Sequence, residues 1–162
     1  GELKEIDNTL KYDDKEKTYK NASSNFKVSM AEKANAQKLI QKVKAQDQQF
    51  LSSSKELDVS FFTFHNSFQY FAQRYGFKIA GVVQLSPGID PTPSQMKDII
   101  DKAKAENANV IFIEPQLSDR AAKAIAASAG LKIGMLDPLG NSSMKTITDL
   151  YKYNFDQIMK LK

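Results

Sequence analysis

Cysteine is absent from the 162 residues, which excludes disulfides, thiolate metal sites and cysteine nucleophiles. The empty cysteine column suits cytoplasm and periplasm equally. No apolar run reaches the ~18 residues of a membrane span. The opening residues also lack the basic-then-apolar pattern of a secretory signal, which by itself leaves the compartment open. Glycine is scarce at seven residues, and none of them forms the G-x-G-x-x-G or G-x-x-x-x-G-K pattern of a phosphate-cradling loop. Excess charge of one sign is small as well, a formal +4. From Gly1 to Asp58 eleven lysines are interleaved with ten acids. A nucleic-acid binder gathers its basic residues on one face, often within a recognisable motif. Neither is visible, so no nucleic-acid partner is expected.

What is present divides in two. Residues 1–57 are polar and lysine-rich, with no proline and only the opening glycine. Within them Phe26, Met30, Ala36, Leu39, Ile40, Val43, Phe50 and Leu51 fall on one broad face at helical spacing. That pattern predicts a long amphipathic helix ending near Ser52–Ser54, preceded by a shorter, looser helix. Its exposed apolar face needs something to lie against, and invites dimerisation if nothing covers it.

From residue 58 to 162 strand and helix patterns alternate. Val59–Phe64, Lys78–Val83, Val110–Ile113 and Lys132–Leu136 read as strands. Helical spacing follows each: Phe68 to Tyr75, stopped by Gly76; a helix through Met96 and Ile100, with Ser94 as its N-cap; Asp119–Ser128; and Met144 to the end. Four strands alternating with four helices predict an α/β fold, a four-stranded parallel sheet with helices on both faces. The long amphipathic helix precedes it. Ligands of such sheets sit at the carboxyl ends of the strands.

Three strands end in residues able to hold or orient a ligand. These are His65 after the first, Glu114 after the third and Asp137 after the fourth; the second runs into a loop from Gln84. If the first, third and fourth are neighbours, an imidazole and two carboxylates share one rim, a set suited to zinc, or to manganese or iron with more oxygen. Taken singly, each has a plainer reading. A histidine after a strand is more often a packing or helix-start residue, and Glu114 and Asp137, each before a proline, read as turn residues. An enzyme is not expected: Ser67 follows His65 too closely to form a strand-to-helix nucleophile elbow.

The residues also carry a resemblance. Phe64-His65-Asn66-Ser67-Phe68 through Arg74-Tyr75-Gly76 resembles the third-ligand motif of the metal-specific solute-binding proteins of ABC importers. Ile89-Asp90-Pro91-Thr92-Pro93-Ser94-Gln95 is similar to that group's proline-bearing loop. Phe112-Ile113-Glu114-Pro115-Gln116 resembles its F-x-E-P-Q signature, and Leu136-Asp137-Pro138-Leu139-Gly140 its L-D-P-L-G. The tail Leu150-Tyr151-Lys152-Tyr153-Asn154 is similar to its closing helix.

The resemblance implies a C-terminal lobe of the zinc-type branch, with His65 and Asp137 as direct ligands and Glu114 orienting them from outside the coordination sphere. It implies zinc as transported cargo, an ABC permease as membrane partner, and a periplasmic or surface lipid-anchored location. Residues from about Asn25 to Phe50 are similar to the helix that joins the two lobes in this group. The further histidine ligands belong to an N-terminal lobe that these residues do not match, so the chain is expected to supply half of an interlobe site. A manganese- or iron-binding member of the group, or an adhesin-like interaction module, are the alternative readings.

Overall fold

The structure, a computed structural model, describes residues 10–13, 18–21, 24–84 and 89–161. It comprises two compact units, Gly1–Gln46 and Asp47–Lys162, whose boundary falls inside a helix.

In the first unit β1 (Leu10–Asp13), β2 (Thr18–Asn21) and β3 (Ser24–Ser29) form an antiparallel sheet in that order. Tyr12 pairs with Tyr19, and Lys20 with Lys27. Helix α1 (Met30–Ser54) follows. This corrects the sequence expectation that residues 1–57 are helical; the other residues before position 24 lie outside the described ones. The reason lies in the ambiguity of a short pattern. Phe26 and Met30 share a helical face, but Phe26 and Val28 also alternate with Asn25, Lys27 and Ser29 at the strand period. The helix start had its own signal. Ser29 and Glu32 form a reciprocal capping box: the Glu32 carboxylate accepts from the Ser29 amide at 2.8 Å, and the Glu32 amide donates to Ser29 Oγ at 3.2 Å.

The second unit holds the expected α/β fold. Strands β4 (Ser60–Thr63), β5 (Lys78–Val82), β6 (Val110–Ile113) and β7 (Lys132–Met135) form a parallel sheet in the order β5-β4-β6-β7. Helices α2 (Gln69–Tyr75), α3 (Pro93–Ala105), α4 (Arg120–Ala129) and α5 (Ile147–Met159) connect and cover it. Adjacent strand residues feed opposite layers. Phe61 and Phe112 pack with Phe50, Tyr75, Phe155 and Ile158, whereas Phe62 and Ile111 pack with Ala103, Ala122 and Ile125. The last turns of α1, with α2 and α5, therefore cover one face, and α3 and α4 the other. Phe50 stacks on Phe155 with ring centroids 3.9 Å apart. Arg74 and the Tyr75 hydroxyl both donate to the Asp47 carboxylate, fastening α2 to the end of α1.

Helix ends follow local chemistry. Thr92, not Ser94, caps α3: its hydroxyl accepts from the Gln95 amide, the Gln95 side chain answers to the Thr92 amide, and Pro93 occupies the first turn. Gly76 and Gly130 end α2 and α4 in the left-handed conformation, at φ 75° and 71°. Among the described residues no helix is long and apolar enough to cross a membrane.

Candidate metal centre

Strand order decides which loop residues meet. From β4 the chain steps outward to β5, then returns past β4 to place β6 on its other side. The direction of winding therefore reverses between β4 and β6, and such a switch point opens a crevice at the carboxyl ends of the strands. His65 follows β4 and Glu114 follows β6, while Gln84 and Asp137 follow the outer strands β5 and β7. Backbone bonds hold the ends level, with Phe64 donating to Phe112 and Gln84 to Phe64, both at 2.8 Å. The strands carrying His65, Glu114 and Asp137 are neighbours, as the sequence reading required.

All four side chains are buried: His65 is 6%, Gln84 6%, Glu114 7% and Asp137 2% exposed. Burial at this level is costly for groups able to carry charge unless they are partnered. His65 is held from both sides. Its Nε2 makes a hydrogen bond with the Gln84 side-chain amide. Its Nδ1 lies 3.4 Å from Glu114 Oε1, a close approach that falls short of a hydrogen bond, so Nδ1 stays without one. Glu114 Oε1 also accepts from the Ser67 hydroxyl at 3.2 Å.

Asp137 has a cage of its own. Its Oδ1 accepts from Gln116 Nε2 at 2.7 Å, the Gly140 amide at 2.8 Å and the Leu139 amide at 3.1 Å. Burial pushes this carboxyl up, but hydrogen bonds from Gln116, Gly140, Leu139 and Asn141 outweigh it and hold the group below the usual carboxylate range. Asn154 of α5 grips the same residue by its backbone: it accepts from the Asp137 amide and donates to the Asp137 carbonyl, each at 2.7 Å. Gly140, at φ 78°, lets the loop turn back over the carboxylate. The turn role anticipated for Asp137 is thus realised.

The structure pairs Glu114 with His65 and surrounds Asp137 with separate donors. Among the described residues no three His, Cys, Asp or Glu side chains stand close enough to hold a metal ion together. The sequence carries no signal of the supporting roles of Ser67, Gln84, Gln116 and Asn154. Ser67, Gln116 and Asn154 lie within the family-like motifs and Gln84 opens the loop after β5, but only the fold says what each touches. In chemical terms the rim offers an oriented imidazole and an ionised carboxylate, which suits coordination of a divalent cation.

The profile of a family described as the periplasmic component A of a zinc-uptake complex, ZnuA, matches residues 20–161. The chain belongs to the ZnuA family. A high-affinity zinc uptake system protein ZnuA of Brucella abortus is 37% identical over 94 residues, 58% of this chain and 28% of that protein. Among solved structures, the laminin-binding protein Lbp of Streptococcus pyogenes superposes with a TM-score of 0.72 at 29% identity, covering 82% of this chain and 54% of Lbp. The laminin-binding protein Lmb of Streptococcus agalactiae, described as bifunctional with adhesin and metal transporting activity, gives 0.64 at 27% identity, covering 80% and 52%. The chain therefore spans about a quarter to a half of the length of these relatives. The family's description names an uptake component and no catalysed reaction.

Proposed function

We propose that this chain is the C-terminal metal-binding lobe of a zinc receptor that captures the ion in the periplasm, or at a lipid-anchored surface, and delivers it to an ABC-type permease. The ion is cargo, and no bond is made or broken beyond coordination. His65 and Asp137 are the direct ligands in this reading, and Glu114 orients His65. A second, N-terminal lobe supplies the remaining donors, because a tetrahedral zinc site needs four ligands, or three and a water.

The observation that carries the reading is the setting of the chain's sole histidine. His65 is buried at the switch point with its Nδ1 edge toward the Glu114 carboxylate, the orientation in which a carboxylate steadies a metal-bound imidazole. Calorimetric titration of zinc into this chain and into His65→Ala tests it. Weak heat that disappears in the variant is the expected result; identical isotherms would refute His65 as a ligand. Protonation removes the coordinating lone pair, so affinity should fall on acidification. Affinity unchanged on acidification argues against imidazole ligation. A manganese or iron preference is read in the same cell by competition.

A second reading, an adhesin-like interaction module, draws support from the likeness to the laminin-binding proteins Lbp and Lmb. Laminin retention by this chain that persists in His65→Ala and Asp137→Ala favours it; retention absent in the unsubstituted chain removes it.

A further inference from the structure

We infer that Gln84 is a positioning residue that competes with the metal ion for the Nε2 lone pair of His65, and so sets how tightly this half-site takes its ion. The inference rests on the metal-ligand reading of His65 given above. Gln84 follows β5, the strand beside β4, and its backbone amide donates to the Phe64 carbonyl, in the residue before His65. Its side chain is thereby delivered to the imidazole, and both groups are more than nine-tenths buried. Two buried polar groups in contact just past the ends of adjacent strands, with the backbone between them hydrogen-bonded, form a defined pair, not an incidental surface meeting.

The proton count around the ring decides what the pair does. With Gln84 Oε1 toward Nε2, a neutral imidazole places its proton on Nε2. Its Nδ1 lone pair then faces Glu114 Oε1 at 3.4 Å with no proton between them. Two acceptors are left opposed in a buried place, an arrangement that costs free energy. Turning the Gln84 amide end over end resolves both contacts at once. The amide NH₂ then donates to Nε2, and Nδ1 carries the ring proton on the side of the Glu114 carboxylate 3.4 Å away, so an electrostatic attraction replaces the repulsion. This is also the tautomer that a carboxylate partner imposes on a metal-ligating imidazole.

A single lone pair serves either the Gln84 N–H or a cation, so zinc must displace the amide. Glutamine suits a displaceable contact. It is neutral and does not repel a dication, and its flexible side chain can swing aside without moving β5. The neutral hydrogen bond lost on displacement weakens apparent affinity roughly 2- to 10-fold.

Because His65 is the sole histidine, its ring nitrogens can be observed without ambiguity. Long-range proton–nitrogen spectra of the ¹⁵N-labelled, metal-free chain near neutral pH should show Nδ1 protonated and Nε2 bare. A proton on Nε2, or on both nitrogens, overturns the assignment. Zinc titrations of Gln84→Ala and of Gln84→Met, which keeps length and volume, should then show binding roughly 2- to 10-fold tighter than the unsubstituted chain. Equal or weaker binding in folded variants overturns the competition. His65→Ala in the same series separates the two ideas: if binding depends on His65 but not on Gln84, only this inference fails. Binding indifferent to His65 removes the ligand reading and the competition with it.

Discussion

At the scale of single residues, the site is built from hydrogen bonds that prepare charge. Asp137 is buried yet held below the usual carboxylate range, because several donors overcome the burial that would raise it. A group whose folded value is depressed stabilises the fold above the ordinary carboxylate range. That contribution is lost as pH falls through the folded value. The melting temperature of Asp137→Asn should therefore lie below that of the unsubstituted chain at pH 7, with the gap closing below about pH 4, the ordinary carboxylate range. Asp137→Ala strands the Gln116, Leu139 and Gly140 donors together and should cost about 2–4 kcal/mol in urea unfolding. His65, Glu114 and Asp137 were legible one at a time, because each stands after a strand pattern. Their partners were not: nothing in sequence spacing places Gln84 beside a histidine nineteen residues away.

At the scale of elements, strands are fitted to one another through glycine. Gly134 in β7 stands opposite Phe112 in β6, and a methyl group there would fall on the buried Phe112 ring. Gly81 stands in the same relation to Phe62, whose ring lies 2.7 Å from where a Cβ would sit. Gly134→Ala should thus destabilise by about 1–3 kcal/mol through overpacking. Shrinking the ring in a Phe112→Leu background should recover part of the loss, read from a double-mutant cycle. Helix α3 depends on its first turn, and Thr92→Ala should cost ~1 kcal/mol in chemical denaturation. The four strands and the helices between them were visible as changes of period. Thr92 and Ser94 are both good caps by type, which makes the sequence ambiguous; Pro93 decides between them, favouring the first helical position and not the cap. Residues 24–29 fit a helical pattern as well as the strand they form, because six residues hold too few repeats to separate a period of 2 from one of 3.6.

At the scale of the whole chain, the Asp47–Lys162 unit contains both core layers and every site residue. Residues 47–162 alone should accordingly melt in one cooperative transition by circular dichroism. A broad, non-cooperative melt would mean that the earlier residues complete the core. Phe50 closes one layer by stacking on Phe155, so Phe50→Ala should cost about 3–5 kcal/mol in either length of chain. The sequence by itself determined the α/β class, the parallel sheet and the three rim residues, since periodicity and strand-end positions are local properties. Family membership was legible too, carried by ordered motifs such as Glu114-Pro115-Gln116 and Leu136-Asp137-Pro138. Only the tertiary structure decided that His65 and Glu114 share the switch point, that Asp137 keeps a separate cage, and that Gln84 engages the imidazole. Those facts depend on strand order and side-chain reach across neighbouring strands, and a one-dimensional pattern carries neither.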